Sequence, residues 1–264
     1  MSMQFDLSRY RVKLAEDDVE REGAQRLRYR VFVEEMSARV GSTDAAGLME
    51  RDAFDGRADH LILVDRAATS KDPRDAVVGT YRLLRGDGAH GGSEFSGAAE
   101  YDLSAILKSG RPCVELGRSC VAAEHRGGAA MHLLWSGLAE YVAARRIGIV
   151  FGVASFPGTD PEPFAEALAF LRHRHLAPPD LRARAWPGRF VRMDLVAPEA
   201  IDPVRALRRI PPLIRAYLRL GGSVGEGACI DMDFNTVDVF MAMDTARMAK
   251  RYGSYLARAA GDRA

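Results

Sequence analysis

The stretch from residue 113 to residue 154 restricts the possible fold more than any other part of this sequence. Residues 113–121 form an apolar run of strand length, and residues 149–154 form a second one. Between them, apolar residues recur at the i, i+3, i+4, i+7 spacing of a helix with one buried face, namely Met131, Leu134, Trp135, Leu138, Tyr141 and Val142. A strand, a glycine-rich turn, a helix and a strand in this order predict a βαβ unit.

The turn of this unit has the composition of an anion-binding site. Gly127, Gly128 and Ala129 have no large side chain that would keep a phosphate from the backbone N–H groups at the start of the helix. Arg126 adds a planar cation that suits phosphate oxygens. The spacing matches neither a dinucleotide fingerprint nor a Walker loop. We predict a phosphate-binding turn, and the alternative is an ordinary turn between strand and helix.

The first strand of the unit carries an acid and a base, Glu115 and Arg118. Residues three apart point to opposite faces of a regular strand. A bulge at Gly117 would bring both side chains toward one cleft. The alternative is an ion pair that only organises the sheet.

Further charged residues lie near the first predicted strand. Asp52 and Asp55 precede it, Arg82 lies in the next strand, and Arg28 and Glu34 lie on the first predicted helix. Acids at this spacing can hold a cationic substrate or cap a turn. The helical residues can equally form surface pairs.

Periodicity predicts the elements around this unit. The predicted helices cover residues 17–36, 161–173, 203–220 and 244–259. The predicted strands cover residues 58–64, 76–84, 190–196 and 237–243. We expect an α/β chain forming one domain over residues 1–264, in which residues 199–264 are an extension of helices and a strand packed on the rest.

Composition excludes some classes of function. The 37 Lys and Arg residues nearly balance the 36 Asp and Glu residues, which argues against a nucleic-acid partner. The three cysteines follow no metal-ligand spacing, so we expect no metal and a reduced, cytoplasmic setting. No apolar segment reaches the roughly 18 residues of a membrane span. The basic amphipathic segment 207–220 leaves peripheral contact with the inner membrane as a hypothesis.

Taken together, these charged positions resemble a known enzyme family. The first half is similar to acyl-homoserine-lactone synthases at Arg28, Phe32, Asp52, Asp55, Arg82, Glu115 and Arg118. The chain as a whole resembles more closely the L-ornithine Nα-acyltransferases of bacterial ornithine-lipid synthesis. The segments that carry this resemblance are residues 115–121, 126–135, 151–160, 175–179 and 217–222.

The second resemblance implies a GNAT-like fold, with a mixed central sheet flanked by helices. It implies transfer of a 3-hydroxyacyl chain from acyl carrier protein to the α-amine of L-ornithine, giving lyso-ornithine lipid. No cofactor would be bound permanently, because the donor is the acyl-phosphopantetheine of the carrier. Its phosphate would lie against the turn after Arg126, and its arm between the strand ending near Val121 and the strand starting at Ile149.

Roles for the charged residues follow from the resemblance. Glu115 is the candidate general base, directly or through a water, and Arg118 is the catalytic residue assigned beside it. Substrate-binding roles fall to Asp52, Asp55 and either Glu34 or Glu35 for the terminal ammonium, to Arg82 or Arg118 for the carboxylate, and to Arg28.

Two other functions remain as alternatives. An acyl-homoserine-lactone synthase would need S-adenosylmethionine, and this sequence has residues 37–39 where that family has a Trp after Phe32. A non-catalytic GNAT-like module would bind acyl carrier protein or an anionic membrane without turnover.

Overall fold

The βαβ stretch has the predicted elements in the computed structural model, which describes residues 7–39, 47–86, 95–127 and 129–247. The strands are β1 Tyr10–Leu14, β2 Asp59–Asp65, β3 Val77–Arg85, β4 Tyr101–Asp102, β5 Cys113–Val121, β6 Ile149–Pro157, β7 Arg184–Ala185, β8 Phe190–Val191, β9 Ser223–Asp231 and β10 Thr236–Asp244. The α-helices are α1 Asp18–Arg28, α2 Ser104–Lys108, α3 Ala130–Ala144, α4 Ala165–His175, α5 Pro203–Arg209 and α6 Pro212–Arg219. This confirms an α/β fold with a mixed sheet flanked by helices.

The described residues group into two units. The first takes the described part of residues 1–93 and 115–146, and the second takes the described part of residues 94–114 and 147–264. The prediction of one domain over 1–264 with an extension over 199–264 stays a prediction.

In the first unit, the strands follow the order β1, β2, β3, β5. β2 is antiparallel to both β1 and β3, with Leu63 opposite Val12 and Leu61 opposite Tyr81. Nearly every residue of β2 and β3 is buried, because α1 and α3 pack on this sheet. A Cβ atom at Gly137 of α3 would overlap the Val12 side chain, so the helix approaches β1 closely.

The helix α1 begins at Asp18 because the Asp17 side chain accepts a hydrogen bond from the Glu20 backbone N–H at 2.9 Å. It continues as a π-helical turn over Tyr29–Glu35. The predicted helix over 17–36 is therefore confirmed in extent, with a wider second half. Such π-turns occur often at functional sites.

In the second unit, the strands follow the order β6, β10, β9, β7, β4, and β8 also pairs with β9. β10 is antiparallel to β6 and β9, whereas β7 runs parallel to β9. α4 packs on β9, and α6 packs on β6 and β10. Among the described residues, no helix is both long and apolar enough to cross a membrane.

Some predicted elements were wrong in extent. The segment 203–220 is two helices, because Pro211 and Pro212 lack the N–H groups that a continuous helix needs. The strand predicted over 190–196 ends at Val191. β1 and the glycine-containing β9 were not predicted at all. Of the helix predicted over 244–259, residues 248–259 lie outside the described part of the chain.

Candidate active site

Six charged residues of the first unit form one ion-pair cluster. They come from α1, from the segment before β2, from β3 and from β5. The cluster consists of Arg28, Glu50, Asp52, Asp55, Arg82 and Arg118. Among these six residues, three guanidinium groups face three carboxylates.

Arg28 is the buried centre of the cluster, with no exposed surface. Its Nε donates to Glu50 Oε2 at 2.5 Å, and its Nη1 and Nη2 donate to the two carboxylate oxygens of Asp55 at 2.6 and 3.1 Å. Burial alone would raise the pKa of Asp55, but the charge and hydrogen bonds of Arg28 outweigh it and hold that pKa at about 2. Asp55 is therefore ionised throughout the physiological range.

Asp52 receives two guanidinium groups at the outer side of the cluster. Arg82 Nη1 donates to its Oδ1 at 2.6 Å, and Arg118 Nη2 donates to its Oδ2 at 3.0 Å. Burial tends to raise the pKa of Asp52, but the charges of these two arginines lower it overall. The Asp52 side chain is 27% exposed and that of Arg118 is 21% exposed, so solvent reaches this side.

Arg118 has a left-handed backbone, with φ of 52°, in the middle of β5. A residue with a Cβ holds this conformation at a cost of about 1 kcal/mol or more, and surrounding contacts must maintain it. Its Nε donates to Glu50 Oε1 at 3.0 Å, which ties the irregular residue to the cluster. The bulge predicted at Gly117 stays a prediction, and the left-handed residue is its neighbour Arg118.

Glu115 lies on the same strand and is 2% exposed. Its role as the general base stays a prediction. Its burial matters for that role, because a carboxylate shielded from water interacts more strongly with an amine brought next to it.

The predicted phosphate-binding turn lies at the start of α3. Gly127 has φ of 75° and open space where a Cβ would stand. Ala129 is the N-cap residue of α3, and no described side chain makes a capping hydrogen bond there. The first turn of α3 also contains no acidic residue that would repel an anion. Arg126 donates from Nε to the Val121 carbonyl at 2.8 Å and pairs with Glu35 at 2.7 Å. Gly128 lies outside the described residues.

Glu34 lies apart from the acids with which it was grouped. It is exposed and lines a surface cavity of about 320 Å³ together with Tyr29, Arg30 and Asp75. None of the described residues lining this cavity belongs to the ion-pair cluster. The structure therefore brings Asp52, Asp55, Arg28, Arg82 and Arg118 together, but not Glu34.

Sequence reasoning missed two residues of this region. Glu50 bridges Arg28 and Arg118, and no sequence pattern marked this acid. His60 is 2% exposed, and its Nε2 lies 3.1 Å from the Asp55 carbonyl. Burial lowers the pKa of His60. No sequence pattern marked this histidine.

One group of carboxylates among the described residues is close enough to hold a metal ion. Oxygens of Glu100, Asp231 and Asp238, all in the second unit, lie within 4.8 Å of one another. Asp231 Oδ1 already accepts from the N–H groups of Asp233 and Phe234 at 2.8 and 2.9 Å, as in a turn. We derive no chemical step from this group.

The fold and the match of residues 27–136 to the family described as an acetyltransferase (GNAT) domain define the class, an acyltransferase of the GNAT type. The solved structure of FeeM, an N-acyl amino acid synthase from uncultured soil microbes, shares this fold, with a TM-score of 0.52. The two chains are 13% identical, and the match covers 92% of this chain and 94% of FeeM.

Within this class, the chain belongs to the family of L-ornithine N(alpha)-acyltransferases. It is 51% identical over 249 residues to the Rhodobacter capsulatus protein of that name, covering 94% of this chain and 95% of that protein. It is 42% identical over 245 residues to the protein of that name from Agrobacterium fabrum, covering 92% of this chain and 83% of that protein.

Proposed function

We propose that this protein transfers a 3-hydroxyacyl chain from acyl carrier protein to the α-amine of L-ornithine, giving lyso-ornithine lipid. The observation that carries the proposal is the 51% identity over nearly the whole length to a protein named L-ornithine N(alpha)-acyltransferase. The charged cluster and the turn before α3 supply residues suited to the two substrates.

In the proposed reaction, the α-amine attacks the thioester carbonyl. Glu115, directly or through a water, takes one proton from the α-ammonium, and the free amine forms the C–N bond. The C–S bond then breaks, and the second proton goes to the leaving thiolate. An α-amine with a pKa near ~8 is easier to deprotonate than a side-chain amine near ~10.4, by roughly 3 kcal/mol. This difference favours acylation at the α-position.

The outer side of the cluster suits a ligand that carries both charges. Arg118 and Asp52 are its partly exposed members, and their paired atoms are 3.0 Å apart. We assign the ornithine carboxylate to Arg118 and its terminal ammonium to Asp52. Asp55, Arg28 and Arg82 are more deeply buried, so their proposed part is to hold these two side chains in place.

The donor phosphate is proposed to bind at the N-terminus of α3. The first N–H groups of a helix have no partner inside the helix, and the helix dipole favours an anion there. Arg126 and the open backbone at Gly127 support this assignment. The same proposal includes a cytoplasmic location with peripheral contact to the inner membrane, since the product would carry an acyl chain.

A competition experiment tests the function. The purified protein is incubated with 3-hydroxyacyl carrier protein and a mixture of ornithine, lysine, glutamine and S-adenosylmethionine. The products are identified by mass spectrometry. We expect Nα-acylated ornithine. An acyl-homoserine lactone would indicate the synthase alternative, and carrier binding without any product would indicate a non-catalytic module. Replacing the carrier with the matching acyl-coenzyme A tests the donor.

The role of Glu115 is tested separately. Glu115→Gln should lower kcat by about 10²- to 10⁴-fold, the usual contribution of a general base, while the protein stays folded by circular dichroism. Glu140→Gln, which changes an exposed acid of α3, is the matched control and should keep full activity. A Glu115→Gln variant with near-normal turnover would remove Glu115 as the base.

A further inference from the structure

A groove in the second unit combines apolar walls with arginines. It has a volume of about 600 Å³ and lies between α4, α5 and α6. Phe170 and Leu218, each 7% exposed, line its inner part. Val204 and Leu207 also line it and are 59% and 38% exposed.

The charges of this groove have one sign. Arg208, Arg215 and Arg219 line it, and no acid is among its described lining residues. Arg208 and Arg219 are exposed. The short helix α5 buries only Ala206, so most of its surface, which also includes Arg209, faces outward. Arg205 pairs with Glu166 of α4 and is not counted among the cations of this face. A cationic face with exposed aliphatic side chains complements a partner that is both anionic and apolar.

We propose that this groove docks the protein on an anionic phospholipid bilayer. The guanidinium groups of Arg208 and Arg219 meet headgroup phosphates, and Val204 and Leu207 enter the boundary between headgroups and acyl chains. This is the arrangement by which amphipathic helices bind a membrane surface. An acidic protein would satisfy the arginines, but the aliphatic side chains exposed beside them favour a lipid surface.

The inference rests on the proposed function for its biological setting, because a lipid product would have to reach a bilayer. Docking itself depends only on the charge and exposure of the groove residues and does not require the acyl-transfer reaction. The groove residues are not among those assigned to catalysis or to substrate binding. Vesicle binding and acyl transfer can therefore be measured separately.

The experiment is co-sedimentation of the full chain with phosphatidylcholine vesicles, with and without phosphatidylglycerol. We expect binding only when phosphatidylglycerol is present, and weaker binding as salt rises. The double variant Arg208→Gln, Arg219→Gln should bind these vesicles more weakly, by about fivefold for each arginine replaced. The double variant Val204→Ser, Leu207→Ser should weaken vesicle binding by about tenfold, because less apolar surface enters the bilayer. The controls Arg66→Gln and Leu107→Ser change an exposed arginine and an exposed leucine elsewhere and should bind normally.

Absence of wild-type binding to phosphatidylglycerol vesicles would overturn the proposal, and so would unchanged binding by both double variants. A raised KM for acyl carrier protein in the arginine variant, with vesicle binding intact, would show that the groove serves the carrier instead. Acyl transfer without vesicles should stay normal in both variants with unchanged unfolding temperatures. Failure of docking would thus remove the membrane contact and leave the proposed acyl transfer standing, and failure of acyl transfer would leave the docking standing.

Discussion

Replacing Asp55 with Asn tests whether the inner part of the ion-pair cluster stabilises the fold. Asp55 is 6% exposed and accepts two hydrogen bonds from Arg28. Lowering its pKa from 3.8 to about 2 corresponds to about 2 kcal/mol of folding free energy at neutral pH. Removing one partner of a buried ion pair costs about 3–5 kcal/mol when the other charge stays buried. Since Glu50 still neutralises Arg28, we expect a loss of about 2–4 kcal/mol.

The same shift predicts a dependence on pH. Because the folded pKa of Asp55 lies below the unfolded value, its contribution is complete above about pH 4 and is lost as the pH falls through about 2. At pH 3 the wild type should have lost about 1 kcal/mol of the folding free energy that Asp55 contributes at neutral pH. The gap in stability between wild type and Asp55→Asn should therefore narrow by that amount between pH 7 and pH 3.

Urea unfolding at pH 7, 5, 4 and 3 measures both quantities. Asp233→Asn, which changes an exposed acid, is the control and should follow the wild type at every pH. A gap below about 0.5 kcal/mol at pH 7, or a gap of constant size down to pH 3, would refute the reasoning. The small gap would mean that Asp55 contributes little to folding, and a direct role with substrate would become the better explanation; the constant gap would mean that the contribution of Asp55 does not depend on its ionisation.

Three further changes test other parts of the structure. Gly137→Ala should destabilise the protein by about 1–3 kcal/mol in urea unfolding, because the new methyl group meets Val12. The Arg118→Gly variant should be more stable than the Arg118→Ala variant by about 1 kcal/mol. Both variants lose the ion pair with Glu50, but only Gly accepts the left-handed backbone without strain. Equal stabilities of the two variants would contradict this. The thiol of Cys120 is buried, which raises its pKa to about 12, and it should resist a thiol reagent at pH 8 until the protein is unfolded.

Local sequence patterns were sufficient for the elements that carry their own periodicity. The apolar spacing in 131–142 predicted α3, and the branched apolar runs predicted β2, β3, β5 and β6 close to their observed bounds. The patterns failed where local preference is weak. β9 contains glycines at residues 225 and 227, and it is a strand because β10 pairs with it.

For the charged residues too, one part could be predicted from the sequence and another part could not. The resemblance to acyl-homoserine-lactone synthases marked Arg28, Asp52, Asp55, Arg82 and Arg118 as a group, and the structure brings these five together. Their partners could not be predicted, because each ion pair joins segments far apart in the chain. Arg28 and Glu50 are 22 residues apart, and Arg118 and Glu50 are 68 residues apart.

The sequence by itself determined the α/β succession, the glycine turn before α3 and the set of charged side chains available for chemistry. Each of these depends on residues that are near one another in the chain. Only the tertiary structure decided that Glu50 completes the cluster, that Arg118 takes a left-handed conformation within a strand, and that Glu34 lies elsewhere. These outcomes depend on which surfaces pack together, since an ion pair or a strained backbone persists only where contacts from other segments hold it.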